Sequence, residues 1–136
     1  MNVSDWSSAT APDLATFRDI AHQAFADLPD AFRERCDGIV IAIDEFPSDA
    51  MLESVGAEGP FDLLGLFEGL GLAQTGGNVF TGQQPNRVWL FRRPILDYWA
   101  EYEDSLGEII THVLIHEIGH HFGLSDEDME AIEAEG

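Results

Sequence analysis

The stretch that decides the fold is HEIGHHFGLSD, residues 116–126. An α-helix turns about 100° per residue, so the imidazoles of His116 and His120 project from one face, one turn apart. Two imidazole nitrogens placed in this way can bind one metal ion, and Glu117 between them can act as a general base. The stretch therefore predicts a zinc site on a helix.

The pattern continues beyond the end of that helix. Gly123 can adopt the left-handed conformation that ends a helix, so it predicts a sharp turn. The turn can bring Asp126 back to the metal as a third protein ligand, which leaves one tetrahedral position for water, as in catalytic zinc sites. Asp126 also has a structural interpretation as an acidic residue in the first turn of a last helix, and Glu127 and Asp128 are competing third ligands.

The residues on either side of the motif predict two capped helices. Ser105 and Glu108 form a capping-box pattern that starts the metal-binding helix. An apolar stripe then leads into the metal-binding face, which predicts a central buried helix with the metal on the floor of a cleft. The stripe consists of Leu106, Ile109, Ile110 and Val113. Ser125 and Asp128 repeat the capping pattern and predict a last helix, Asp126–Glu135.

The rest of the chain mixes helical and extended patterns. Helices are predicted within residues 10–28, capped by Thr10 or Asp13, and over residues 30–36 and 94–99, whereas residues 47–60 predict a loop with one helical turn near residues 49–55. Strands are predicted over residues 38–43 and 87–92, and residues 61–69 fit either a strand or a helix, of which a strand over residues 64–67 is preferred. The β-branched first strand indicates burial on both faces, and the terminal arginines of the strand over residues 87–92 indicate an edge position. Residues 69–86, rich in Gly, Gln and Asn, predict a surface loop.

Composition limits the class of protein. The 136 residues, 45% of them apolar, predict one domain over residues 1–136 with a flexible tail at residues 1–9. The single cysteine, Cys36, allows no internal disulfide, and the sequence has no evident signal peptide or membrane span. We therefore expect a soluble, cytoplasmic protein, most simply a monomer.

The charge balance is strongly acidic. The chain has 26 acidic and 6 basic residues, which gives a net charge of −20. This charge argues against nucleic acids and anionic membranes as partners. The charge can serve solubility alone, or it can attract cations and basic substrates.

Several stretches resemble a known family. HEIGHHFGLSDEDMEAIE and the preceding FRRPILDYW resemble the small bacterial zincin-like metallopeptidases, sometimes described as minimal metzincins. FRERCDGIVIAIDEFP and GPFDLLGLFEG are also similar to that family, so the resemblance covers about residues 28–132. It implies a zincin-like α+β fold in which a small mixed sheet packs beside a central active-site helix.

The resemblance also implies a site. Zinc would be bound by His116, His120 and Asp126, with Glu117 as the catalytic base and a peptide or protein as substrate. Larger metzincins carry a methionine-containing turn well after the third ligand. Met129, which lies in the predicted last helix, is predicted to be a packing residue instead.

The sequence is compatible with three functions from different classes. The first is hydrolysis of peptide bonds by metal-activated water, with the substrate extended along the strand predicted at residues 87–92. The second is a metal-binding module with little or no turnover that binds a peptide or protein partner. The third is a protein that acts only through its acidic surface.

Other polar residues near the motif have less defined roles. Candidates for stabilising an oxyanion are Tyr98, Tyr102, Arg92 and Arg93, although pairing with surface acids is the simpler role for the two arginines. His112 is either a group beside the metal ligands or a plain helix residue. His121 is interpreted as lying at the surface or beside the ligands, and His22 as an ordinary helix residue.

Overall fold

The computed structural model describes residues 6–69 and 86–135. Its elements, in chain order, are α1 (Leu14–Ala26), α2 (Asp30–Glu34), β1 (Val40–Asp44), α3 (Asp49–Val55), a 3-10 turn (Pro60–Asp62), β2 (Gly65–Glu68), β3 (Arg87–Phe91), α4 (Arg92–Glu101), α5 (Leu106–His121) and α6 (Asp126–Glu135). Helices and a small sheet together confirm the predicted α+β class.

The sheet is mixed, as predicted, but its strand order was not foreseen. β1 runs parallel to β3 and β2 runs antiparallel to it, so β3 lies in the centre. The prediction that residues 87–92 form an edge was therefore wrong. The arginines at its ends need no edge position, because Arg87 faces Glu68 and Arg92 pairs with Glu45.

β1 occupies one edge of the described sheet. Its end residues are exposed and its three middle residues are only partly buried, so the prediction of burial on both faces was wrong. α1 packs against this strand. A run of β-branched residues indicates a strand, but its burial depends on how many strands and helices lie beside it.

α5 is the central helix, as predicted, and the other elements pack around it. The whole predicted stripe is buried, and α1, α4, α6, β2 and β3 all contact α5. The buried residues of α5 are Leu106, Ile109, Ile110, Val113, Leu114, Ile115, Ile118 and Gly119. The predicted capping box starts the helix, since Ser105 and Glu108 each accept a hydrogen bond from the other's backbone N–H.

The ends of the smaller elements differ from the predictions by a few residues. Asp13, rather than Thr10, caps α1 by accepting a hydrogen bond from the Thr16 N–H at 2.8 Å. α2 ends at Glu34, β2 is shifted by one residue, and the single helical turn predicted within the loop at residues 47–60 is a helix of 7 residues, α3. α4 begins directly after β3, so Pro94 is its third residue and still lies in the first turn, where a helix needs no N–H donor.

Some predictions fall on residues outside the described ranges. Residues 1–5 of the predicted tail and residues 70–85 of the predicted loop lie there, while residues 6 and 7 are helical. The single-domain organisation stays a prediction. Among the described residues, no helix combines the length and apolar character needed to cross a bilayer.

Candidate metal centre

The end of α5 and the start of α6 form a tight helical hairpin. Gly123 has a φ of 74°, and its N–H donates to the His120 carbonyl at 3.1 Å. The Leu124 N–H donates to the Gly119 carbonyl at 2.9 Å, which completes a Schellman motif. Gly123 therefore reverses the chain, as predicted, and α6 runs back antiparallel to α5.

A second capping box fixes the first turn of α6. The Asp128 N–H donates to Ser125 Oγ at 3.1 Å, and the Ser125 N–H donates to Asp128 Oδ2 at 3.2 Å. Asp128 is therefore engaged in the cap. Glu127 is exposed and belongs to neither of the metal-binding clusters found among the described residues.

The hairpin brings the three predicted ligands together. One ligand atom each from His116, His120 and Asp126 lies within 4.8 Å of the other two. The rings of the two histidines are 6.0 Å apart and nearly perpendicular, at 83°. Two imidazoles and one carboxylate are a donor set that zinc commonly takes, and His116 Nε2 is buried with no hydrogen-bond partner in the part of the chain that the structure describes. These residues fit a zinc ion.

The surroundings of His116 favour the form that binds metal. Burial lowers the pKa of His116 below its usual 6.5, and the charge of a protonated His112 acts in the same direction, while Glu133 opposes both. A lowered pKa keeps the imidazole neutral, with a lone pair available for coordination.

Glu117 lies beside His116 in a cleft of about 530 Å³ between α5 and β2. Burial raises the pKa of its carboxyl group above the usual 4.5, although the nearby His120 and a hydrogen bond from the Phe67 backbone act in the opposite direction. The carboxylate is therefore both held in place and less stable as an anion than one in water.

Gly65 allows β2 to approach α5 this closely. A Cβ at Gly65 would lie 2.4 Å from Val113 Cγ1 and 2.9 Å from the Trp89 carbonyl oxygen, both too short for real contacts. The same position is 3.6 Å from Glu117 Cγ. Glycine is required here so that β2 can form one wall of the cleft.

The four oxyanion candidates lie in different places. Tyr98 lines the cleft with His116 and Glu117, and Tyr102 stacks on it with ring centroids 4.3 Å apart. The two arginines are engaged elsewhere in structural contacts. Arg92 bonds the Pro12 carbonyl and Glu45, and Arg93 lies over the Phe46 ring.

The remaining histidines occupy distinct positions. His112 stacks on His116, with ring centroids 4.0 Å apart, and so lies beside the proposed ligands. His121 stacks on the Phe67 ring of β2 at 4.1 Å. His22 is exposed on α1, as expected of an ordinary helix residue.

Glu133 of α6 lies beside the candidate ligands and was not among the residues predicted from the sequence. Its Oε1 lies 2.6 Å from His112 Nδ1 and 3.5 Å from His116 Nε2. Glu133 follows Asp126 by seven residues, which is two helical turns, so both carboxylates share the face of α6 that meets α5. The seven-residue spacing from Asp126 is the feature of the sequence from which the position of Glu133 could have been predicted.

Met129 is confirmed as a packing residue. It is fully buried beneath α5, where its side chain lies against Gly119, between the two histidines of the motif.

These features define a class of protein. A helix with two histidines one turn apart and a glutamate directly after the first is the HExxH arrangement of zinc metallopeptidases. The sequence matches the zincin-like metallopeptidase family over residues 36–135, and the chain belongs to that family. A search of the curated proteins found no match. Membership in this family implies zinc binding, which agrees with the donor set of the hairpin.

Proposed function

We propose that this protein is a zinc-dependent peptidase that hydrolyses peptide bonds. Family membership supports the class of reaction. The observation that carries the proposal is the placement of Glu117 in an open cleft beside His116, which belongs to the His116–His120–Asp126 cluster.

His116, His120 and Asp126 are the proposed zinc ligands. Three protein ligands leave a tetrahedral position free, as catalytic zinc sites do. When bound, zinc supplies a Lewis acid that lowers the pKa of water and polarises the scissile carbonyl.

Glu117 is the proposed general base. Its carboxylate accepts a proton from the attacking water and returns that proton to the departing amine. Its raised pKa, caused by burial, makes it a stronger base than a carboxylate in water. The hydrogen bond from the Phe67 backbone supports this role by orienting the carboxylate.

β2, rather than residues 87–92, is the proposed binding strand for substrate. The Phe91 N–H donates a hydrogen bond to the Leu64 carbonyl, so Leu64 points its backbone towards β3. Because alternate residues of an antiparallel strand point in opposite directions, the backbone groups of Gly65 and Phe67 point away from β3. The Phe67 N–H already donates to Glu117, so a peptide would pair with Gly65 and the Phe67 carbonyl along this edge of the described sheet, and it would pass Glu117. Tyr98, across the same cleft, is the proposed donor to the oxyanion.

The test replaces Glu117 with the isosteric amide. Glu117→Gln is expected to lower hydrolysis of an unbiased peptide library at least about 100-fold, because the proton acceptor is lost. Zinc content, measured by elemental analysis, is expected to stay at the wild-type value. Glu130→Gln, an exposed change on α6, is the matched control and should retain activity. Undiminished hydrolysis by zinc-loaded Glu117→Gln would refute this mechanism.

One observation favours the alternative, a metal-binding module with little or no turnover that binds a peptide or protein partner. Glu133 Oε1 lies 3.5 Å from His116 Nε2, close enough to fill the position that water needs. In that case zinc-saturated wild-type protein would cleave no member of the library. Partner binding to β2 would nevertheless persist in Glu117→Gln.

A further inference from the structure

The α5–α6 hairpin carries a repeated pattern of metal-binding side chains. His112, His116 and His120 follow one another at intervals of four residues on α5, and Asp126 and Glu133 face them from α6. Because the helices are antiparallel, His120 meets Asp126 at one end and His112 meets Glu133 at the other. His116 lies between the two pairs.

We propose that His112, His116 and Glu133 form a second ligand set for a divalent ion such as zinc, one helical turn from the first set. One ligand atom from each of the three lies within 4.8 Å of the others. This inference concerns where an ion binds, and it goes beyond the proposed peptidase activity.

The separation of Glu133 and His116 suits coordination with little rearrangement. Zinc–ligand bonds of about 2.0–2.1 Å at tetrahedral angles place two ligand atoms roughly 3.3 Å apart. Glu133 Oε1 and His116 Nε2 are separated by 3.5 Å, close to that value. His112 Nδ1 lies 2.6 Å from Glu133 Oε1, which is shorter than the separation of two ligand atoms on one ion, so these two side chains must move apart to bind it.

Burial gives an independent reason to expect a cation there. His116 Nε2 and Glu133 Oε1 are both inaccessible to solvent; His116 Nε2 has no hydrogen-bond partner among the described residues, and beside Glu133 Oε1 stands the His112 imidazole at 2.6 Å. Unsatisfied buried polar atoms cost about 1–3 kcal/mol each, and more when charged. A cation between the nitrogen and the carboxylate oxygen would give the nitrogen the partner that it lacks.

An ion has its own route to this second set. His112 and Glu133 line both the Glu117 cleft and a second cavity of about 930 Å³ between α1 and α5. The walls of that cavity include Asp19, Asp27 and Glu108. Their carboxylates give the cavity a negative potential, which concentrates cations next to the His112–Glu133 pair.

The two ligand sets cannot bind an ion at the same time, because both use His116. A neutral imidazole has one N–H and one lone pair, so His116 can serve one set at a time. We therefore expect one ion per chain, which occupies either of two positions. Asp126 is a ligand only at the first position.

The experiment removes the first set and asks whether zinc still binds. In His120→Ala/Asp126→Asn protein, we expect one zinc per chain by elemental analysis, with two imidazoles in the zinc X-ray absorption spectrum. Adding Glu133→Gln to that background should weaken zinc binding, measured against a chromophoric chelator, by at least about tenfold. Adding Glu130→Gln instead should leave the affinity unchanged.

Two results would overturn the proposal. The first is a folded His120→Ala/Asp126→Asn variant, judged by circular dichroism, that binds no zinc. The second is a zinc affinity that responds equally to Glu133→Gln and Glu130→Gln.

If the double variant does not fold, Asp126→Asn alone carries the test, because Asp126 is exposed. Glu133→Gln should then weaken binding at least about tenfold more in the Asp126→Asn background than in the wild type, and equal effects would overturn the proposal. The readout is zinc affinity, so absence of peptidase activity bears only on the proposed function.

Discussion

Gly119, inside the metal-binding motif, determines how closely α6 can approach α5. A Cβ at this position would lie 2.6 Å from Met129 Sδ and 2.9 Å from Met129 Cγ. The missing side chain gives Met129 room to pack, and this packing keeps Asp126 and Glu133 near the histidines. The motif position before His120 is therefore constrained by packing as well as by helix formation.

The effect of Gly119→Ala on the free energy of unfolding should change sign with the residue at position 129. In the wild type we expect a loss of about 1–2 kcal/mol in the free energy of unfolding, because overpacking exceeds the gain in helix propensity. In a Met129→Ala background the same change should add up to about 1 kcal/mol, since the clash is gone. Urea unfolding of the four proteins in this cycle measures both effects. Equal destabilisation in the two backgrounds would show that the clash is not the cause.

Cys36 should behave as a buried, unreactive thiol. It is 4% exposed, its Sγ–H donates to the Phe32 carbonyl at 3.2 Å, and burial raises its pKa to about 11. Because the thiolate is the reactive form, modification by a disulfide reagent at pH 8 should be far slower in native than in urea-unfolded protein. Equal rates in the two states would contradict this expectation.

The same shift gives a pH dependence of stability. The folded thiol has a pKa above the unfolded value of 9.0, so folding disfavours ionisation. Its contribution to stability is therefore complete below about pH 9 and is lost as the pH rises towards 11. Cys36→Ala should reduce the fall in stability over that range, as measured by urea titration at several pH values.

At the scale of elements, the site depends on two close contacts with α5. α6 contacts one part of the helix and brings the two carboxylates. β2 contacts another part and donates the backbone hydrogen bond to Glu117. Capping boxes start both helices of the hairpin, so the position of each helix start is set by local hydrogen bonds.

Gly65→Ala should separate β2 from α5. We expect a loss of about 1–3 kcal/mol in the free energy of unfolding, because the new Cβ overlaps Val113 and the Trp89 carbonyl. Peptide hydrolysis should fall as well, because the Phe67 backbone moves away from Glu117. Thermal unfolding and peptidase assays measure the two effects.

Gly107→Ala is the control for this change. Apart from its chain neighbours and the backbone of its own helix, no described atom lies within 4 Å of a Cβ at Gly107, so stability and hydrolysis should stay at wild-type values or rise slightly. Wild-type stability and activity in Gly65→Ala would show that the strand is not held by this contact.

At the scale of the whole molecule, the dominant property is negative charge. The net charge of −20 comes from 26 acidic and 6 basic residues, so most carboxylates have no Lys or Arg partner. Self-repulsion of this kind destabilises a compact chain and is screened by salt. The charge is therefore expected to limit stability at low ionic strength.

Added salt should raise the melting temperature. Between about 0.01 M and 0.5 M NaCl we expect a gain on the order of 1 kcal/mol, or roughly 4 °C in Tm for a chain of this length. KCl at equal ionic strength should have the same effect. A Tm that stays constant or falls with salt would contradict net repulsion.

Salt also distinguishes the two interpretations of the acidic surface. If the charge attracts basic substrates, hydrolysis of basic peptides should decline steeply with salt while that of neutral peptides does not. If the charge serves solubility alone, both classes of peptide should respond alike.

Short-range chemistry in the sequence was enough to predict the helix that carries the proposed metal ligands. The capping boxes at Ser105 and Ser125, the glycine turn at Gly123 and the buried stripe of α5 each depend on residues a few positions apart. Helical periodicity and local hydrogen bonds act over this range, so these features can be inferred without tertiary structure. The convergence of His116, His120 and Asp126 follows from the same local geometry.

Tertiary structure alone decided the features that depend on distant segments. The central position of β3, the approach of β2 at Gly65 and the placement of Glu133 beside His112 each join residues far apart in sequence. A strand pattern does not specify how many neighbours the strand has, and an acidic helix residue does not specify which helix it faces. These outcomes depend on how the elements pack to bury their apolar faces around α5, which is a property of the whole fold.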